Sequence, residues 1–117
     1  MSREDLRIAD YVGHMLEAIR RIGQYTSGVN YDDFLRGKII QDAVLRNIEI
    51  LGEAARNIES AAPDFAAAHS EVPWAVIYTM RNRIAHGYFQ VDLEIVWRTV
   101  RTDLPQLKFA LDKLVRA

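Results

Sequence analysis

Apolar side chains recur at alternating three- and four-residue steps along almost the whole chain, the period of α-helices that each turn one face to a core. The first such segment spans about Arg3 to Tyr25, with Ile8, Val12, Met15, Leu16, Ile19 and Ile22 on one stripe. Ser2 is placed to cap it, and Glu4 and Asp5 complement the positive end of its dipole. The cluster Thr26-Ser27-Gly28 ends it. Ser27 or Asn30 then caps a short turn through Tyr31 to Leu35, stopped at Gly37. A second long helix is predicted over about Lys38 to Ser60. Here Ile40, Val44, Ile48, Leu51, Ala55 and Ile58 form one stripe, and Ala43, Asn47, Ile50 and Ala54 form another beside it. A helix apolar over so wide an arc is buried on more than one side. Gly52 in its middle costs ~1 kcal/mol relative to alanine, which predicts that another backbone passes close there. Asn47 falls inside the apolar arc, so its amide needs a buried partner, expected as a structural hydrogen bond to a neighbouring helix, with a functional contact as the alternative.

From Ala61 to Val72 the pattern dissolves around Pro63 and Ser70, which predicts a loop with at most a helical turn at Phe65 to Ala68. Pro73 suits the first turn of the next helix, where a missing N–H costs nothing. That helix carries Trp74, Ile77, Tyr78 and Met80 and runs on to His86, with Gly87 as the expected left-handed residue after its last turn. Asp92 opens a final helical region. Its seam of Leu93, Trp97, Val100, Leu104, Leu107, Leu111 and Leu114 keeps register across Pro105. A kink or one-turn break is expected at the proline, with Asp103 capping the second half. No repeat, low-complexity tract or strand-like alternation interrupts the pattern. Residues 1–117 therefore read as one domain, an all-α antiparallel up-and-down bundle of four to five helices.

At 117 residues, such a domain buries roughly two thirds of its unfolded surface. Cysteine is absent, which removes disulfides, thiolate nucleophiles and Cys-ligated zinc. A net charge of −1 argues against a surface that coats nucleic acid, but leaves room for a local arginine cleft. No apolar run approaches the ~18 residues of a membrane span and no apolar leader follows the charged start, so a cytoplasmic protein without membrane association is expected. His14, His69 and His86 lie far apart without i, i+4 pairing. Neither a metal site nor a cofactor is expected.

The segment with chemistry in it is Arg81-Asn82-Arg83-Ile84-Ala85-His86-Gly87-Tyr88. Imidazole shuttles protons near neutral pH, and guanidinium braces an extra phosphate charge through two parallel hydrogen bonds. Together they suit metal-free cleavage of a phosphodiester. Helix termination alone also produces this pattern, because cations and a glycine gather at helix C-termini. Two points favour chemistry. Arg81 lies in line with Trp74, Ile77, Tyr78, Ile84 and Ala85, so it leaves the core-facing stripe and must be paired or line a cleft. Five residues of straight helix turn roughly 140°, and unwinding from Ala85 to Gly87 would let His86 swing back toward Arg81.

This octapeptide resembles the Arg-x4-His-x-Tyr motif of the HepT-like branch of the HEPN superfamily. The stretch Asn47-Ile48-Glu49-Ile50-Leu51-Gly52-Glu53-Ala54-Ala55 is similar to the family's second signature. Pro73-Trp74 before the motif and Val91-Asp92-Leu93-Glu94-Ile95-Val96-Trp97 after it are similar too. The resemblance implies a bundle that dimerises and places two such segments across a shared cleft. It implies a metal-independent endoribonuclease, the toxin of a toxin–antitoxin pair. The implied partner is a minimal nucleotidyltransferase, which silences the toxin by attaching AMP to the motif tyrosine. By position, Arg81 and His86 are then the catalytic pair, Asn82 orients the site and Tyr88 is the modification site. RNA would be cut by attack of the ribose 2′-hydroxyl on the adjacent phosphate. A helical dimer that binds a nucleotide or the nucleotidyltransferase without turnover, and a purely structural bundle, are the rival readings.

Overall fold

A computed structural model describes residues 3–86 and 92–116, and they are all helix, turn and short connection. Ser2, Gly87 and Tyr88 lie outside the described residues. Helix α1 (Arg3–Tyr25) buries Val12, Met15, Ala18, Ile19 and Ile22. At its end the Thr26 hydroxyl donates to the Ile22 carbonyl at 2.8 Å, and Gly28 takes a left-handed φ of +74° that turns the chain. Asn30 then caps α2 (Tyr31–Arg36). Its side-chain oxygen accepts from the Asp33 N–H at 2.8 Å while the Asp33 carboxylate accepts from the Asn30 N–H at 3.3 Å. This reciprocal capping satisfies two donors that the first turn leaves free, and it settles the cap on Asn30. Phe34, fully buried, anchors α2 to the core.

Helix α3 (Lys38–Ala61) is the central rod, packed on α1 along one side and on α5 along another. Val44, Ile48, Leu51, Ala54, Ala55 and Ile58 are all buried, as the two adjoining stripes require. Gln41 near its start donates to the carbonyls of Phe34 and Leu35, at 2.8 and 3.1 Å, closing the end of α2. Asn47 corrects an expectation. Its amide N–H donates to the Ala43 carbonyl of its own helix at 2.9 Å, one turn back, and does not reach a neighbouring helix. Its side-chain oxygen is buried with no partner among the described residues.

The stretch expected as a loop contains α4 (Pro63–Ala68), a full short helix, because Pro63 stands in its first turn and starts it. Trp74 holds this helix down. Its indole N–H is shared between the Ala66 and His69 carbonyls at 3.1 and 3.2 Å. Helix α5 (Trp74–His86) follows. Pro73 sits just before it and not in its first turn, supplying the carbonyl that accepts from the Ile77 N–H at 3.1 Å. Helices α3 and α5 run antiparallel: Arg81 lies against Gly52, and the Tyr78 ring lies 6.0 Å from the Arg56 guanidinium.

Asp92 caps α6 (Leu93–Arg98), accepting from the Glu94 and Ile95 N–H groups at 3.1 and 3.3 Å. A π-helical turn (Thr99–Asp103) joins it without a break to α7 (Leu104–Arg116). The Leu104 N–H reaches five residues back to the Thr99 carbonyl. Asp103 therefore lies inside a continuous helix and caps nothing, contrary to expectation. Proline has no N–H to give, and its ring crowds the carbonyl four residues before it. The wider π turn just ahead of Pro105 relieves that crowding. Val100, Leu104, Leu107 and Leu111 of the seam are buried, and Trp97 packs 5.1 Å from the Phe34 ring. Among the described residues α5 and α7 pack on each other little. Between them, over Ile48 and Leu51, runs a cleft of about 330 Å³. Among the described residues no helix is long and apolar enough to cross a membrane.

Candidate functional site

At the crossing of α3 and α5 the chain lays the Arg81 side chain against a glycine. A methyl group on Gly52 would stand 2.2 Å from Arg81 Cβ and 2.7 Å from its Cγ, well inside contact distance. Glycine is required here by the close approach of a side chain; the Ile77 carbonyl is the nearest backbone atom, at 3.4 Å. The sequence predicts a close backbone at Gly52; the tight contact there is instead the stem of Arg81 laid across the notch, with the backbone of α5 at ordinary contact distance.

That stem carries the guanidinium to the rim of the bundle, where the side chain is 21 % exposed. Arg81 Nη1 donates to Asn82 Oδ1 at 2.8 Å, and Nη2 donates to Glu53 Oε2 at 3.2 Å. Arg81 Nε is buried with no partner among the described residues. Of five guanidinium donors, these two bonds occupy one on each terminal nitrogen. Among the described residues one further N–H on each is without a partner, and guanidinium binds phosphate through such N–H groups taken in pairs. Glu53 is 61 % exposed, and an ion pair that open to water contributes at most about 1 kcal/mol. An arriving dianionic or phosphorane-like group therefore competes for Arg81 at little cost. Arg81 thus starts from the core-facing stripe and is paired, with Asn82 and Glu53, as a cation in that register must be.

The structure brings together Arg81 and Asn82 of the sequence-predicted residues. The α-helical backbone of α5 continues through Ala85 and His86, so the unwinding that the sequence allows from Ala85 to Gly87 does not begin at the first two of those residues; Gly87 lies outside the described residues. The His86 imidazole and the whole of Tyr88 lie outside the described residues. Glu53 is the residue that sequence reasoning missed. Its signal was weak: an exposed glutamate on a helix looks like a solvated face, and only its place next to Gly52 hints at the crossing. Among the described residues no three His, Cys, Asp or Glu side chains group as a metal ion needs.

Residues 15–114 match the family described as Ribonuclease HepT-like, a span that includes Gly52, Glu53 and the whole Arg81-to-Tyr88 segment. The chain belongs to the HepT-like ribonuclease family. It is 42 % identical over 105 residues to a Thermococcus cleftensis protein named "Probable ribonuclease HepT", covering 90 % of this chain and 93 % of that one. A Methanocaldococcus jannaschii protein named "Gamma-glutamylcyclotransferase and putative RNase" is 39 % identical over 113 residues, which is 97 % of this chain and 49 % of the larger relative. No solved structure matches. The HepT-like assignment agrees with the all-α architecture.

Proposed function

We propose that this HepT-like chain is a metal-independent endoribonuclease acting as the toxin of a toxin–antitoxin pair. The observation that carries the reading is the Arg81 guanidinium, seated on the Gly52 notch and held by Asn82 and Glu53, with one N–H on each terminal nitrogen unshared among the described residues. It holds the non-bridging oxygens of the scissile phosphate. The ribose 2′-hydroxyl loses its proton to a base and bonds to phosphorus, and the 5′-oxygen leaves after taking a proton from an acid. The products are a 2′,3′-cyclic phosphate and a 5′-hydroxyl. His86 supplies the proton transfers.

On α5, position 86 lies about 140° around the helix axis from position 81, an awkward spacing for one copy of the site. Two copies related by a two-fold axis ease this, since two imidazoles then divide the base and acid roles. Exposed Val76 on α5 and Phe109 on α7, on helices that flank an open cleft, are apolar surface for such pairing. The test is cleavage of total RNA by the purified protein in EDTA, alongside its sedimentation. A dimer at micromolar concentration that cuts without divalent metal is expected. A strict metal requirement, or a monomer with full activity, refutes the reading.

Regulation would fall on Tyr88, as substrate for AMP transfer by a partner nucleotidyltransferase. An added AMP brings bulk and negative charge beside the cleft and repels the RNA backbone. With the nucleotidyltransferase and ATP, the mass of the chain should rise by one or more AMP units. Tyr88→Phe should abolish the rise and leave the toxin insensitive. A Tyr88→Phe protein that is still modified and silenced would overturn the assignment.

A further inference from the structure

On the far side of Glu53 from Arg81 lies a second cleft, about 180 Å³, between α1 and α3. Arg46, Glu49, Glu53 and Asn57 edge it from α3 at helical steps, and Tyr11 and His14 face them from α1. Ile50 and the buried Ala54 form its floor. Sites for drug-sized ligands run to about 300–1,000 Å³, so this one has room for a single flat heterocycle and little else. Its rings suit such a guest. Tyr11 and His14 stand edge to face at 6.4 Å and 69°, offering an aromatic wall, and single-stranded RNA is read by stacking on such side chains.

The charges divide the labour between the two clefts. One arginine faces two carboxylates in the α1/α3 cleft, which repels phosphate and admits a neutral base. Phosphate goes instead to Arg81, and Glu53 touches both places. The Arg46–Glu49 contact is 3.7 Å long and exposed, so Glu49 is readily released to a ligand. A carboxylate accepts two adjacent N–H donors, and among the four bases only guanine presents two, N1–H beside its 2-amino group. Adenine and cytosine place a ring acceptor beside their amino group, and uracil flanks its single N–H with two carbonyls. The Asn57 amide is available for the opposite, acceptor-bearing edge.

We infer that the α1/α3 cleft is a guanine subsite, holding the base of a nucleotide that adjoins the phosphate bound at Arg81. The inference rests on the ribonuclease reading for its biological use, but not for its binding chemistry. Its test is an NMR titration of the full chain with guanosine, adenosine, cytidine and uridine, nucleosides that carry no phosphate. Guanosine is expected to shift the Tyr11 and His14 ring signals, with the other three at least tenfold weaker. Glu49→Gln should weaken guanosine about tenfold, the scale of one charge-assisted hydrogen bond. Sequencing of RNA ends cut by the wild type should show guanine enriched beside the cut, and Glu49→Gln should level that preference. Equal shifts by all four nucleosides, or none by guanosine, would overturn the subsite. Guanosine binding without RNA cleavage would instead sink the ribonuclease reading and leave the subsite standing.

Discussion

An Arg81→Ala protein should fold and cut no RNA at a measurable rate. Its removal strips the developing phosphorane charge of a fixed donor pair, and losses of this kind run to about 10²–10³-fold. The fold should survive, because Glu53, the partner left behind, is 61 % exposed and returns to water without being stranded. His86→Ala should lose about 10²–10⁴-fold through the missing proton transfer. Initial cleavage rates paired with circular dichroism separate the two effects. Wild-type rates in a helical His86→Ala protein would refute the mechanism. A melted Arg81→Ala protein would show that Arg81 is chiefly structural.

Gly52→Ala should be the more damaging change to the fold. The new methyl group would meet Arg81 Cβ at 2.2 Å, against an ordinary carbon contact of about 3.5–4.0 Å. Overpacking of this kind costs about 1–3 kcal/mol, and the better helix propensity of alanine returns at most about 1 kcal/mol. Relief requires α5 to back away from α3, which carries the guanidinium off its contact with Glu53. Both stability and cleavage should therefore fall, with a melting temperature lowered by several degrees. Thermal melting with parallel cleavage rates checks this. A Gly52→Ala protein of unchanged stability would mean that the notch is not filled as described.

The long elements were legible because burial writes a period into them. Both α1 and α3 lie within a residue of where their stripes place them, and Gly52 advertised a close approach. Helix α4 was legible only as a turn at Phe65 to Ala68, since Pro63 looked like a breaker and only its position in the first turn makes it a starter. The π turn was hidden for a related reason. The proline's effect falls on the turn before it, through the crowded carbonyl, so Asp103 looked like a cap. Asn47 announced a need for a buried partner, but the one it found is a carbonyl of its own helix, which serves its N–H and leaves its side-chain oxygen without a partner among the described residues. At the candidate site, the apolar register of α5 marked Arg81 as an inward cation. Glu53 stayed invisible because an exposed carboxylate gains meaning only from the helix that packs beside it.

The notch at Gly52 also limits what the chain can become. The atom nearest the missing methyl is Arg81 Cβ, at 2.2 Å, and every residue except glycine carries that atom. Loss of the arginine alone therefore does not free position 52. A copy of this gene whose site decays should keep its glycine, because the two helices still need it to cross. Glycine at 52 is thus a mark of the fold, and only the arginine at 81 is a mark of the chemistry.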